Sequence, residues 1–79
     1  MRARVTVTLK AGVLDPQGQA ITGSLKSLGF GAISSVRQGK IFDVDVAETD
    51  ATAARLSLAA MCEKLLANTV IENYSIELV

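Results

Sequence analysis

Residues 3–10 alternate without a break: Ala3, Val5, Val7 and Leu9 against Arg4, Thr6, Thr8 and Lys10. Period two with β-branched residues predicts a half-buried strand, which stops at Ala11-Gly12. Asp15-Pro16 then reads as a helix N-cap followed by proline in the first helical position. Ala20, Ile21, Leu25 and Leu28 recur at helical spacing, and Gly29 stands where a helix stops. Gly18 and Gly23 each weaken this helix by up to ~1 kcal/mol relative to alanine, so it depends on packing.

From Ile33 to Val46 the pattern predicts a β-hairpin turning near Gln38-Gly39, with Phe42, Val44 and Val46 opposed to Ile41, Asp43 and Asp45. Thr49 or Asp50 caps a second helix, whose apolar stripe is Ala54, Leu58, Met61 and Leu65. Asn68 is placed to end it in the left-handed conformation. A last strand follows, with Tyr74, Ile76 and Leu78 on one face. The order is β-α-β-β-α-β, a ferredoxin-like α+β fold with two helices on one face of an antiparallel sheet. In that topology the first strand lies between the third and fourth. Arg2, Arg4, Thr6 and Thr8 then share an outward face with Asp43, Asp45 and Glu77.

This register changes the meaning of the charge. The 79 residues carry no formal net charge, yet six of eight basic groups precede residue 41 and seven of eight acidic groups follow residue 40. An extended chain so divided would suggest a nucleic-acid-binding arm. Interleaved strands neutralise it instead, and a ferredoxin-like sheet that binds RNA needs exposed aromatics to stack bases. Phe42 is the candidate, and its period points it inward.

Composition narrows the class further. A chain of 79 residues accommodates one domain with a small core. Apolar residues make up 49%, mostly aliphatic, with only 4% aromatic. So much aliphatic surface on so small a body implies an interface with another chain. No run approaches the roughly 20 apolar residues of a membrane span, and MRARVTVTLK has no apolar leader core. The expectation is a cytoplasmic protein.

Candidate chemistry is sparse. Histidine is absent, which removes Ser-His and Cys-His nucleophile systems from this chain. Cys62, the lone cysteine, lies next to the apolar stripe and reads as a buried small hydrophobe. Asp43 and Asp45 share a strand face, but two carboxylates on an open sheet make a poor site for a cation that wants six to eight oxygens. Gly29-Phe30-Gly31 follows a helix, whereas a dinucleotide fingerprint follows a strand. The Gly12–Pro16 loop leads into a helix N-terminus, but Asp15 would repel a phosphate there. No catalytic, cofactor-binding or metal-ligating residue is expected.

Taken in order, these segments resemble one family. Val5-Thr6-Val7-Thr8-Leu9-Lys10 followed by Gly12-Val13-Leu14-Asp15-Pro16-Gln17-Gly18 is similar to the opening of PurS, the small subunit of phosphoribosylformylglycinamidine synthase. The likeness continues through Leu28-Gly29-Phe30, Val36-Arg37-Gln38-Gly39-Lys40, Met61-Cys62-Glu63-Lys64-Leu65-Leu66-Ala67-Asn68 and Val70-Ile71-Glu72-Asn73-Tyr74. It spans essentially the whole chain. Thr69 stands where many members have proline, and Ala51–Ala54 and Ala59-Ala60 replace a more acidic second helix.

The resemblance implies a non-catalytic subunit of the enzyme that makes formylglycinamidine ribonucleotide from formylglycinamide ribonucleotide, ATP and glutamine in purine biosynthesis. It implies two partners, the glutaminase PurQ and the synthetase PurL, with ATP and magnesium bound by PurL, and a homodimeric state. The implied role is to bridge the two and assist ammonia transfer. Lys10, Asp15, Gln17, Arg37, Gln38 and Lys40 are the expected partner contacts, although Asp15-Pro16 also suits a plain helix start. Tyr74 fits either the core or a partner surface. A small-ligand regulatory module of the ACT type is the alternative on the same element order. An acylphosphatase-like hydrolase is a poorer one, because its anion cradle would fall on Ala11–Asp15, which holds an acid and no arginine.

Overall fold

A computed structural model describes all 79 residues. Strand β1 spans Arg2–Leu9, helix α1 Pro16–Ser27, strand β2 Gly39–Asp45, helix α2 Ala51–Met61 and strand β3 Glu72–Leu78. The sheet is antiparallel in the order β2-β1-β3, so the alternating N-terminal strand is its centre. Arg4 stands opposite Asp43 on one side and Glu77 on the other, and Arg2 opposite Asp45. The self-neutralising outer face expected from the sequence is therefore present. Arg4 Nε reaches Asp43 Oδ1 at 3.0 Å and Arg2 Nε reaches Asp45 Oδ1 at 3.2 Å. That hydrogen bond and charge raise the Arg4 pKa and lower that of Asp43.

The other face carries the core. Ala3, Val5 and Val7 of β1 are buried against Leu58, Cys62 and Ala67, with Phe42, Val44, Tyr74, Ile76 and Leu78 packed around them. Full burial of a valine or leucine side chain contributes roughly 1.5–3 kcal/mol, so this small set holds most of the fold's apolar stabilisation. Tyr74 is half-buried and packs against the core from its edge.

The second helix differs in its last turns. Asp50 caps it, accepting from the Ala53 N–H at 3.0 Å. After Met61 the backbone widens into a π-turn over Cys62–Leu66, closed by Ala67 N–H donating to the Cys62 carbonyl at 3.0 Å. The inward positions become Ala54, Leu58, Cys62 and Ala67. Met61 and Leu65, expected in the stripe, are 36% and 84% exposed. The helix also ends without a left-handed residue: Ala67 is already extended, at φ −128° and ψ 143°, and Asn68 has negative φ. Asn68 instead forms a turn, its carbonyl accepting from Ile71 and Glu72.

The first helix ends as its sequence predicts. Gly29 adopts φ +101°, Phe30 N–H bonds the Leu25 carbonyl and Gly29 N–H bonds that of Lys26, the paired bonds of a Schellman stop. Yet α1 contributes nothing to the core cluster. Leu28 is 73% exposed, and Ile21 and Phe30 are open as well. The chain measures 48 × 25 × 14 Å, with a radius of gyration of 16.0 Å. A compact chain of this length would have a radius of about 12 Å. Its surface of 5442 Å² likewise exceeds the about 4600 Å² of a compact monomer of 8.3 kDa. The body is β-sheet plus α2, and α1 is an arm.

One expected strand is missing. Residues 33–38 form no ladder, and the strand begins at Gly39. The reason lies in where their N–H groups go. Val36 donates to Thr22 Oγ1 at 2.9 Å and Gln38 to Asp15 Oδ2 at 3.0 Å, so side chains of the arm take donors that a hairpin would have used. No helix is long and apolar enough to cross a membrane.

Candidate functional site

The segment Val36–Gly39, here called the strap, crosses from the arm to the sheet, and the six expected contact residues gather around it. Asp15 has the extended backbone of an N-cap, φ −115° and ψ 92°. Its Oδ1 accepts from Gly18 N–H at 2.9 Å while Oδ2 accepts from Gln38 N–H at 3.0 Å. These bonds, Gln38 first, hold its pKa below the ordinary 3.8. Asp15 is only 6% exposed and both oxygens are engaged, so it is an internal strut and not the surface contact expected of it.

Arg37 turns back over the β1–α1 loop. Its guanidinium donates to the Val13 carbonyl at 2.8 Å and the Lys10 carbonyl at 3.1 Å. Lys10 is thus drawn in through its backbone carbonyl. The amides of Gln38 and Gln17 are hydrogen-bonded to each other across the strap. Lys40, the second residue of β2, lies 3.8 Å from Glu72 of β3. Lys10, Gln17, Arg37, Gln38 and Lys40 consequently form one polar surface with an excess of positive charge.

Two residues here escaped sequence reasoning. Thr22 was unmarked, yet its hydroxyl donates to the Gly18 carbonyl at 2.8 Å and accepts from Val36. A polar residue on the inner side of a helix was the available signal. Gly18 belongs to the resembling segment, but by helix propensity alone it only weakens the helix. A Cβ there would collide with the Val36 carbonyl oxygen, so close approach of the strap requires glycine. Such approach is a common reason for glycine inside an element.

An open cleft lies on each side of the strap. One, of about 350 Å³, is bordered by Leu14, Thr22, Ser34 and Arg37, and the other, of about 300 Å³, by Leu9, Gln17, Lys40 and Glu72. Neither brings a nucleophile to a base. No three acidic, cysteine or histidine side chains lie together in a metal-binding group. Cys62 is buried, and desolvation raises its thiol pKa, the reverse of an activated cysteine. A separate apolar groove of about 510 Å³ runs between β2 and the second helix, lined by Val44, Ala60, Met61, Leu65 and Leu66. The chemistry on offer is hydrogen bonding, positive charge and apolar contact, the means of docking.

Comparison with known proteins agrees with that reading. The sequence profile described as PurS, phosphoribosylformylglycinamidine (FGAM) synthase, matches residues 2–79. The chain is 53% identical over 75 residues to the phosphoribosylformylglycinamidine synthase subunit PurS of Mycobacterium leprae, covering 95% of this chain and 91% of that one. Among solved structures, Methanocaldococcus jannaschii PurS superposes with a TM-score of 0.86 at 38% identity, covering 96% of this chain and 92% of that chain. A structure of PurLQS from Thermotoga maritima contains a chain that superposes with a TM-score of 0.87 at 26% identity, covering 96% and 93%. Each likeness runs through both the body and the arm.

Proposed function

This chain belongs to the PurS family of FGAM synthase subunits, and on that premise we propose that it is the small bridging subunit joining a glutaminase, PurQ, to a synthetase, PurL. The observation that carries this is the near-full-length match to a chain within PurLQS of Thermotoga maritima. The complex it serves converts formylglycinamide ribonucleotide, ATP and glutamine to formylglycinamidine ribonucleotide in the cytoplasm. ATP and magnesium belong to the synthetase, and the glutaminase supplies ammonia. This chain's part is to hold the two together and assist ammonia transfer between them. With no histidine and a buried, protonated Cys62, it has no means of releasing ammonia from glutamine itself.

Lys10, Gln17, Arg37, Gln38 and Lys40 are the proposed contacts to the larger subunits. Their support is a shared polar surface around the strap, on which the Gln17 and Gln38 side chains bond each other, Arg37 bonds backbone carbonyls and Lys40 pairs with Glu72. A homodimer is the proposed resting state. It is supported by the surplus of exposed area and by apolar residues of the arm, Ile21, Leu28 and Phe30, that no part of this chain covers.

The test is reconstitution with PurQ and PurL from the same source. Glutamine-dependent product formation is expected to need this chain, whereas ammonia-dependent formation by PurL alone is not. Equal glutamine-dependent rates with and without it would reject the bridging role. The ACT-type alternative is not favoured by the full-length likeness to PurS, and it would require a metabolite to stabilise the isolated chain against heat.

A further inference from the structure

Helix α1 and the sheet share no apolar core, so something else must set the angle between them. Two covalent connections join them: the β1–α1 loop and the stretch from Gly29 to Gly39. Free loops of that kind would let the arm swing. The polar contacts at the strap remove that freedom. The Asp15 carboxylate binds the start of the helix with one oxygen and the start of β2 with the other, because Gln38 immediately precedes Gly39. About two turns along the helix from Asp15, Thr22 Oγ1 takes the Val36 N–H. Arg37 ties the strap to the β1–α1 loop through two carbonyls. Gly18 allows the Val36 carbonyl to lie directly on the helix. No buried polar side-chain atom is left without a partner.

We infer that the strap is a polar clasp that fixes the direction of α1 relative to the sheet, with Asp15 and Thr22 as its positioning residues. The capping bond from Asp15 Oδ1 would exist in any isolated helix. The bond from Oδ2 to Gln38 and the bond from Val36 to Thr22 have no use to the helix itself. They serve to lock an element that hydrophobic packing leaves loose. Two points of attachment, one at the helix start and one about two turns later, define a direction where a single point would act as a pivot.

The inference concerns the isolated chain and does not depend on the bridging role, so either can fail alone. Serine caps a helix about as well as aspartate but lacks the second carboxylate oxygen. Asp15→Ser therefore separates capping from clasping. Thr22→Val keeps the shape and removes the acceptor, and Thr22→Ser restores it. Residual dipolar couplings of the full chain report the angle between helix and sheet. In the wild type one alignment tensor is expected to fit both. In Asp15→Ser and Thr22→Val the helix couplings are expected to depart from that tensor while chemical shifts still report a helix. Thr22→Ser is expected to return to the wild-type fit.

Exchange of the Val36 and Gln38 amides is expected to accelerate roughly tenfold in the matching variant, as for loss of one hydrogen bond. A single unchanged tensor in both disruptive variants would overturn the clasp. So would Val36 and Gln38 amides that exchange at free-loop rates in the wild type, a measurement that needs no variant to fold.

Discussion

The body and the arm are held by different physics. In the body, β1, Leu58 and Cys62 exclude water, and stability there follows buried apolar area. In the arm, the residues that would do the same are exposed, and hydrogen bonds at Asp15, Thr22 and Arg37 define its position. Packing is cooperative and resists local opening, whereas a handful of partly exposed hydrogen bonds opens locally at little cost. The body should therefore unfold as one unit, and the arm should be separable from it by changes that leave the sheet standing. In the proposed bridging role this division would be useful: a firm platform carries a directed extension whose apolar side chains Leu28 and Phe30 are exposed.

The largest effect expected from breaking this division is in the body. Leu58 of α2 is fully buried against the sheet. Leu58→Ala should cost about 2–5 kcal/mol. A domain of this size has only roughly 4–12 kcal/mol in total. Urea titration should show a single, strongly shifted transition for sheet and helix together. Separate transitions for α2 and the sheet would show that the body is not one unit.

Next comes Gly18→Ala. In an exposed helix this exchange would stabilise by up to about 1 kcal/mol. Here the new Cβ meets a backbone carbonyl, which cannot move aside as a flexible side chain would. The strap should be displaced, with amide protection lost at Val36 and Gln38 while core amides of Val5 and Val7 keep theirs. A gain in melting temperature with protected strap amides would mean that the strap does not lie on the helix.

Acid should act on the arm before the body. Asp15 has a folded-state pKa below its ordinary value, so its contribution is complete above about pH 4 and disappears as pH falls through the folded value. Asp43 is lowered too, by Arg4, and contributes in the same direction. Melting curves between about pH 6 and pH 2 should fall for the wild type and fall less steeply for Asp15→Ser, the two converging at the acid end. Parallel curves would remove Asp15 from the acid response.

The contrast between the regions also explains what was legible in the sequence. Local signals were readable because their partners are near in the chain. Asp15-Pro16 announces a helix start, Gly29 its end, and the alternation of β1 and β2 puts Arg4 beside Asp43. Strand β2 was legible for the same reason. Extending its period back through Ser34-Ser35 to Ile33 produced a strand the molecule does not have. The competitor was Thr22, 14 residues away from the Val36 N–H it accepts, and no spacing rule links them. The π-turn was hidden similarly. Regular helical spacing allows either Met61 or Cys62 after Leu58, and the structure turns Cys62 inward; the widened turn that follows then gives the next place to Ala67 and not Leu65. Family likeness points to Arg37 and Gln38 of the strap as contacts, but Asp15's inward role and the part played by Gly18 needed coordinates.

The smallest effect belongs to the body's outer face. Arg4 and Asp43 pair across β1 and β2 with half-exposed side chains. Exposed ion pairs lose most of their attraction to solvent screening and to the entropy of holding long side chains still. A double-mutant cycle with Arg4→Ala and Asp43→Ala should give a coupling worth only about 1–3 °C in melting temperature. It should fade in about 1 M salt, where the Debye length falls to about 3 Å. The same salt should leave the strap amides protected, because Asp15 is shielded and bonded to backbone N–H groups and not to a solvent-exposed cation. Salt that loosened the arm while sparing the sheet would place long-range charge, and not the directed hydrogen bonds of Asp15 and Thr22, in control of the arm's direction.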